Sequence, residues 1–111
     1  MGKKKTEEYD FSDKNRIIFT ITTLRDDPYK SGRCVGFYYN EILAIEAVEN
    51  NSCDIYEAGY YPYCVIESVK QGIYCINRTE FWFKWNKEIN KYERLPEKPK
   101  RFENLACFGI G

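Results

Sequence analysis

A chain of 111 residues has room for one domain that buries roughly two-thirds of its unfolded surface, enough for a core held by packing alone. Its 17 basic and 17 acidic side chains cancel, which argues against long-range attraction of duplex nucleic acid or of an anionic membrane. Histidine is absent, which excludes histidine-dependent hydrolysis, and the five cysteines form no C-x-x-C pair, so neither zinc nor a cofactor is expected and reduced thiols in a cytosol are the simplest reading.

Residues 1–14 are charged and aperiodic and read as a flexible arm ahead of a single ligand-binding domain over 15–111. The arm lacks the apolar middle of a signal peptide, and no apolar run approaches the roughly 18 residues of a membrane span. "MGKKKT" fits the loose myristoylation pattern at Gly2 and Thr6, but that pattern needs a eukaryotic transferase and a polar arm is the favoured reading.

"RIIFTITTLR" (16–25) alternates, with Ile17, Phe19 and Ile21 on one face and Thr20 and Thr22 on the other, and is the first expected strand. "DDPYKSG" breaks it with Pro28 and Gly32, and "RCVGFYY" (33–39) is the second, where Gly36 permits a bulge. Asn40 is suited to cap a helix over "EILAIEAVEN", with Glu41 favourably placed in the first turn. An apolar stripe of Ile42, Ala44, Ile45 and Val48 is expected on it, with Asn50 or Asn51 ending it in the left-handed conformation. After an irregular tyrosine-rich connection come "YCVIESVK" (63–70), a turn at Gln71 and Gly72, and strands at "IYCI" (73–76), "EFWFKWN" (80–86) and "KYERL" (91–95). Pro96 and Pro99 exclude a further central strand, leaving a short helical turn or edge strand at the end. This order implies an α+β fold, a largely antiparallel β-sheet packed with one main α-helix.

Composition is unusual in one respect. Aromatic residues make up 17% of the chain, with ten Tyr, seven Phe and two Trp, more than one small core hides easily, so some rings are expected at a binding surface. Alternation in "EFWFKWN" sends Phe81, Phe83 and Trp85 to one face and Glu80, Trp82, Lys84 and Asn86 to the other. The first set suits a core. The second places an indole beside an ammonium and an amide, which suits a stacked base held by charge and hydrogen bonds, and equally suits an outer face covered by a neighbouring subunit. Arg25 and Arg33 bracket the first loop and Lys100 and Arg101 lie near the end, where guanidinium forks can meet phosphate oxygens. Tyr60, Tyr61 and Tyr63 around Pro62 offer a second aromatic wall. The ligand-binding candidates are therefore Arg25, Arg33, Tyr60, Trp82, Lys84, Asn86 and Arg101.

Catalytic constellations do not emerge: there is no P-loop, G-x-S-x-G or G-x-G-x-x-G, and the carboxylate pairs Asp26 with Asp27 and Asp54 with Glu57 fit surface turns. A binding protein, not an enzyme, is the expectation.

Several segments, "TTLRDD", "RCVGFYY", "AIEAVENNSCDIYEAGYYPYCVIE", "GIY", "FWFKWN" and the terminal "FGIG", together resemble the small phage proteins of the Thoeris anti-defence 1 family from about residue 16 to the end. The resemblance implies a sponge in the cytoplasm of an infected bacterial host. It would sequester, without cleavage, the cyclic ADP-ribose isomers made as immune signals by TIR-domain proteins; some members of the family resemble binders of CBASS cyclic oligonucleotides as well, at separate sites. It also implies homo-oligomers, from dimer up to hexamer. Energetics favour an enclosed site between chains: nanomolar sequestration needs about 12 kcal/mol, whereas one stacked ring supplies roughly 1 to 3. The alternative is a small inhibitor that binds a host protein through the same exposed rings.

Overall fold

In a computed structural model, described here over residues 16–27, 32–50, 61–71 and 79–103, the chain forms five antiparallel strands and one α-helix. The strands are β1 (Ile17–Leu24), β2 (Arg33–Tyr38), β3 (Tyr63–Lys70), β4 (Glu80–Asn86) and β5 (Lys91–Arg94), with helix α1 (Glu41–Glu49) between β2 and β3 and a 3-10 turn at Lys100–Phe102. The sheet order is β2-β1-β3-β4-β5. The α+β expectation therefore holds. The arm over 1–14, the strand at 73–76, Tyr60, the carboxylates Asp54 and Glu57, and the C-terminal "FGIG" lie outside the described residues.

β3 is central and buried along nearly its whole length, because both faces of the sheet are covered there. On one face α1 packs its Ala44, Ala47 and Val48 onto Ile21, Cys64, Ile66, Phe83 and Tyr92, with Phe19, Phe81 and Trp85 around them. The alanines let the helix backbone approach the sheet closely. On the other face a smaller core joins Leu24, Tyr63, Val65, Trp82 and Phe102, with Leu95 packed against it. The division of β4 into Phe81, Phe83 and Trp85 against Trp82 is as alternation requires.

Local chemistry explains the element ends. The Asn40 side chain accepts from the Leu43 N–H at 3.1 Å and caps α1. Of the two residues expected to end the helix, Asn51 lies outside the described residues and Asn50 does not take the left-handed conformation: its φ is −90°, and its N–H donates to the Glu46 carbonyl at 2.9 Å, the helix's own last hydrogen bond. Nor does Ile42 join the buried stripe; it is 64% exposed. At 3.6 residues per turn Ile42 lies about 160° around the axis from Ala44, so the two cannot share a face. Between β1 and β2 the register slips, Ile21 facing Gly36 while Thr22 faces Cys34. This bulge turns Val35 toward the helix-side core. The β4–β5 turn needs one residue at positive φ, and Asn90 supplies it at 54°.

Candidate functional site

Antiparallel pairing decides what meets at each end of the sheet. β1 and β4 finish where β2, β3 and β5 begin, so Arg25, Arg33, Tyr61, Tyr63, Lys84 and Asn86 gather at one end. Within it, Leu24 pairs with Tyr63 and Tyr63 with Lys84 across neighbouring strands. The Tyr63 ring, buried, carries the Lys84 Nζ at 5.7 Å and the Arg101 guanidinium at 5.6 Å from its centroid. Arg33 lies over Tyr61 at 5.5 Å. Arg25 is half-buried and engaged within the chain.

Segment 61–62 is pinned to this end. The Tyr92 hydroxyl donates to the Tyr61 carbonyl at 2.7 Å, and the Trp85 N–H donates to the Pro62 carbonyl at 2.7 Å. Beside it opens a cavity of about 570 Å³, lined among others by Pro62, Lys84, Trp85, Asn86, Arg94 and Leu95, within the size range of small-ligand sites. The Arg94 guanidinium carbon lies over the Phe81 ring, 4.5 Å from its centroid. Glu88 and Glu93 also line the cavity, so its polar rim has both signs. Asn86 is a hairpin staple: its Oδ1 accepts from the Glu88 N–H at 2.9 Å and its Nδ2 donates to Glu93 Oε1 at 3.0 Å.

Trp82 stands apart from the other candidates. It is 2% exposed, and the Phe102 ring stacks on it at 5.2 Å between centroids and 25° between planes. Its indole N–H donates to Glu80 Oε1 at 2.9 Å, and the same carboxylate meets Lys98 Nζ at 3.5 Å. Thus a ring of its own chain covers Trp82, where a ligand or a neighbouring subunit was expected. Arg101, beside Phe102, forms an ion pair with the Asp26 carboxylate and donates to the Asp26 carbonyl at 2.9 Å.

The exposed rings that composition called for lie elsewhere. Phe37 (50% exposed) and Tyr39 (57%) meet edge to face at 5.5 Å at the end of edge strand β2, just before the exposed Ile42 and Leu43 of α1. Sequence reading missed this patch, although its signal was present: "VGFYYNEIL" runs nine residues with a single charge. Cys34 is exposed on the same strand, whereas Cys64 is buried in the core as a small hydrophobe. No helix among the described residues is long and apolar enough to cross a membrane. No protein-family model, curated protein or solved structure matches the chain.

Proposed function

We propose that this protein binds and sequesters a small cyclic nucleotide-type signal, a cyclic ADP-ribose isomer or a cyclic oligonucleotide, and releases it uncleaved. It does so as a homo-oligomer in the cytoplasm of an infected bacterium. The observation that carries this reading is the convergence of Arg25, Arg33, Lys84 and Arg101 with Tyr61 and Tyr63 at one end of the sheet, beside a cavity of about 570 Å³. Guanidinium and ammonium groups answer phosphate, and rings answer bases. The resemblance to the Thoeris anti-defence 1 proteins supports the same reading.

The deciding experiment incubates the protein with a cyclic ADP-ribose isomer, removes free ligand, heats the complex and analyses what is released. Intact ligand is expected. A cleaved product overturns sequestration in favour of an enzyme, and no retained ligand leaves the protein-binding reading. Lys84→Ala should weaken retention by about tenfold to a hundredfold, since a hydrogen bond to a charged group contributes about 1.5 to 3 kcal/mol. Because Lys84 is exposed, the melting temperature should stay within a few degrees of the parent's.

A second reading has its own observation. The exposed patch of Phe37, Tyr39, Ile42 and Leu43 beside β2, the edge strand among the described residues, suits a protein partner, and so suits an inhibitor of a host protein.

A further inference from the structure

We infer that β2 pairs edge to edge with β2 of a second copy of this chain, antiparallel and centred on Phe37, so that two five-stranded sheets join into one. The inference rests on the homo-oligomer of the reading above and names the surface that builds it. The two edges of the described sheet differ in kind. β5, "KYER", is charged at three of its four positions, which protects it against another strand. β2, "RCVGFY", carries one charge, at its first residue, and neither lysine nor proline; its bulge falls at Val35, ahead of the regular stretch that follows. Of the large apolar side chains exposed among the described residues, Phe37, Tyr38, Tyr39, Ile42 and Leu43 cluster here, and Ile89 in the β4–β5 turn stands apart. The cluster wraps both sides of the edge. Phe37 is paired with Thr20, on the face away from α1, whereas Tyr38 is paired with Phe19, on the helix side. A flat partner covers one face; an added strand, with alternating side chains, covers both.

The same edge of another copy is the strand that fits. Gly36 leaves a gap on the helix-side face: no atom of the described residues lies within 4 Å of where a Cβ would stand, and its backbone needs no positive φ. In an antiparallel pair centred on Phe37, that ring meets its own counterpart and the partner's Tyr38 falls directly opposite Gly36. Each copy's tyrosine thus fills the other's gap, as an aromatic does beside an edge glycine. The two-fold axis is then normal to the sheet, so both copies of α1 lie on one face with Ile42 and Leu43 bordering the seam. Charge agrees, because the chain is neutral and antiparallel pairing brings the Arg33 end of one β2 toward Glu41 at the start of the other α1. Half-exposed side chains of this size leave about 100 Å² each outside, so the five offer roughly 500 Å² of the roughly 800 Å² per partner that a stable interface buries. The strand edge with the exposed Cys34, Asn40 and Glu41 supplies the remainder.

Sedimentation equilibrium of the full chain and two variants tests the pairing. The parent should run at an even multiple of its 13.2 kDa. Tyr38→Lys, which brings a charge to the partner's gap, and Gly36→Leu, which fills the gap from within, should each halve that mass at the same concentration. Both positions are open in the single chain, so far-UV circular dichroism should be unchanged, and either variant decides alone if the other does not fold. A folded variant that keeps the parent's mass overturns the interface. So does a monomeric parent, which leaves this edge to a protein of another kind. Retention of cyclic ADP-ribose by the parent is read on the same samples. Ligand retained with the mass unmoved by either variant overturns the interface and leaves sequestration standing. Halved mass in the variants with no ligand retained leaves the interface standing and overturns sequestration.

Discussion

Trp82 fills the smaller of the two cores together with Leu24, Tyr63, Val65 and Phe102, so removing its indole leaves a large hole where little else can collapse. Trp82→Ala should cost about 3 to 5 kcal/mol, lowering the melting temperature by ten degrees or more in a thermal scan. A drop of only a few degrees would mean that the ring contributes little to packing. Loss of ligand by this variant would report unfolding as much as a lost contact, which is why Lys84 is the cleaner probe. Gly32 is constrained differently: a methyl group there would meet the Thr23 carbonyl oxygen at 2.8 Å and a Leu24 methyl at 2.5 Å. Gly32→Ala should therefore destabilise by about 1 to 3 kcal/mol, measured by urea titration, because backbone cannot yield as a side chain can. The face on which Trp82 lies was legible from alternation. What covers it was not, since Phe102 returns only after the chain has turned at Pro96 and Pro99, and no local pattern encodes that contact.

At the scale of elements, α1 depends on its cap and on two alanines. Asn40→Ala should cost about 1 kcal/mol, and Asn40→Ser or Asn40→Asp should restore most of it, because each keeps an acceptor for the Leu43 N–H. Equal stability of all three variants in urea titration would show that the cap is dispensable. Strand and helix positions were legible wherever the pattern was strong: "YCVIESVK" and "EFWFKWN" coincide with β3 and β4. The departures have physical causes. Ile42 was assigned to the stripe on hydrophobicity, whereas angular position put it in solvent. Asn50 or Asn51 was assigned a left-handed cap on residue type; at Asn50 the Glu46 carbonyl satisfies the N–H without one, and Asn51 lies outside the described residues. Asn86 looked like a ligand donor, yet the tight turn before Asn90 uses its amide twice.

For the whole molecule, the strand order β2-β1-β3-β4-β5 is what gives the candidate site its shape. Local periodicity says where strands are and which face each residue takes, but not which strand lies beside which. That choice follows from β3 returning between β1 and β4, where its continuous apolar run can be buried on both faces. Only then do Arg25, Arg33, Tyr63 and Lys84, dispersed through the sequence, share one end of the sheet. The exposed patch of Phe37, Tyr39, Ile42 and Leu43 follows β2 at an edge and so presents a separate surface. Backbone amide chemical-shift mapping during titration with a cyclic ADP-ribose isomer separates the two surfaces in one measurement. The largest shifts should fall at Leu24–Asp26, Arg33, Tyr61–Tyr63 and Lys84–Asn86; shifts confined to Phe37–Leu43, or no shifts at saturating ligand, would contradict the assignment of nucleotide binding to this end of the sheet.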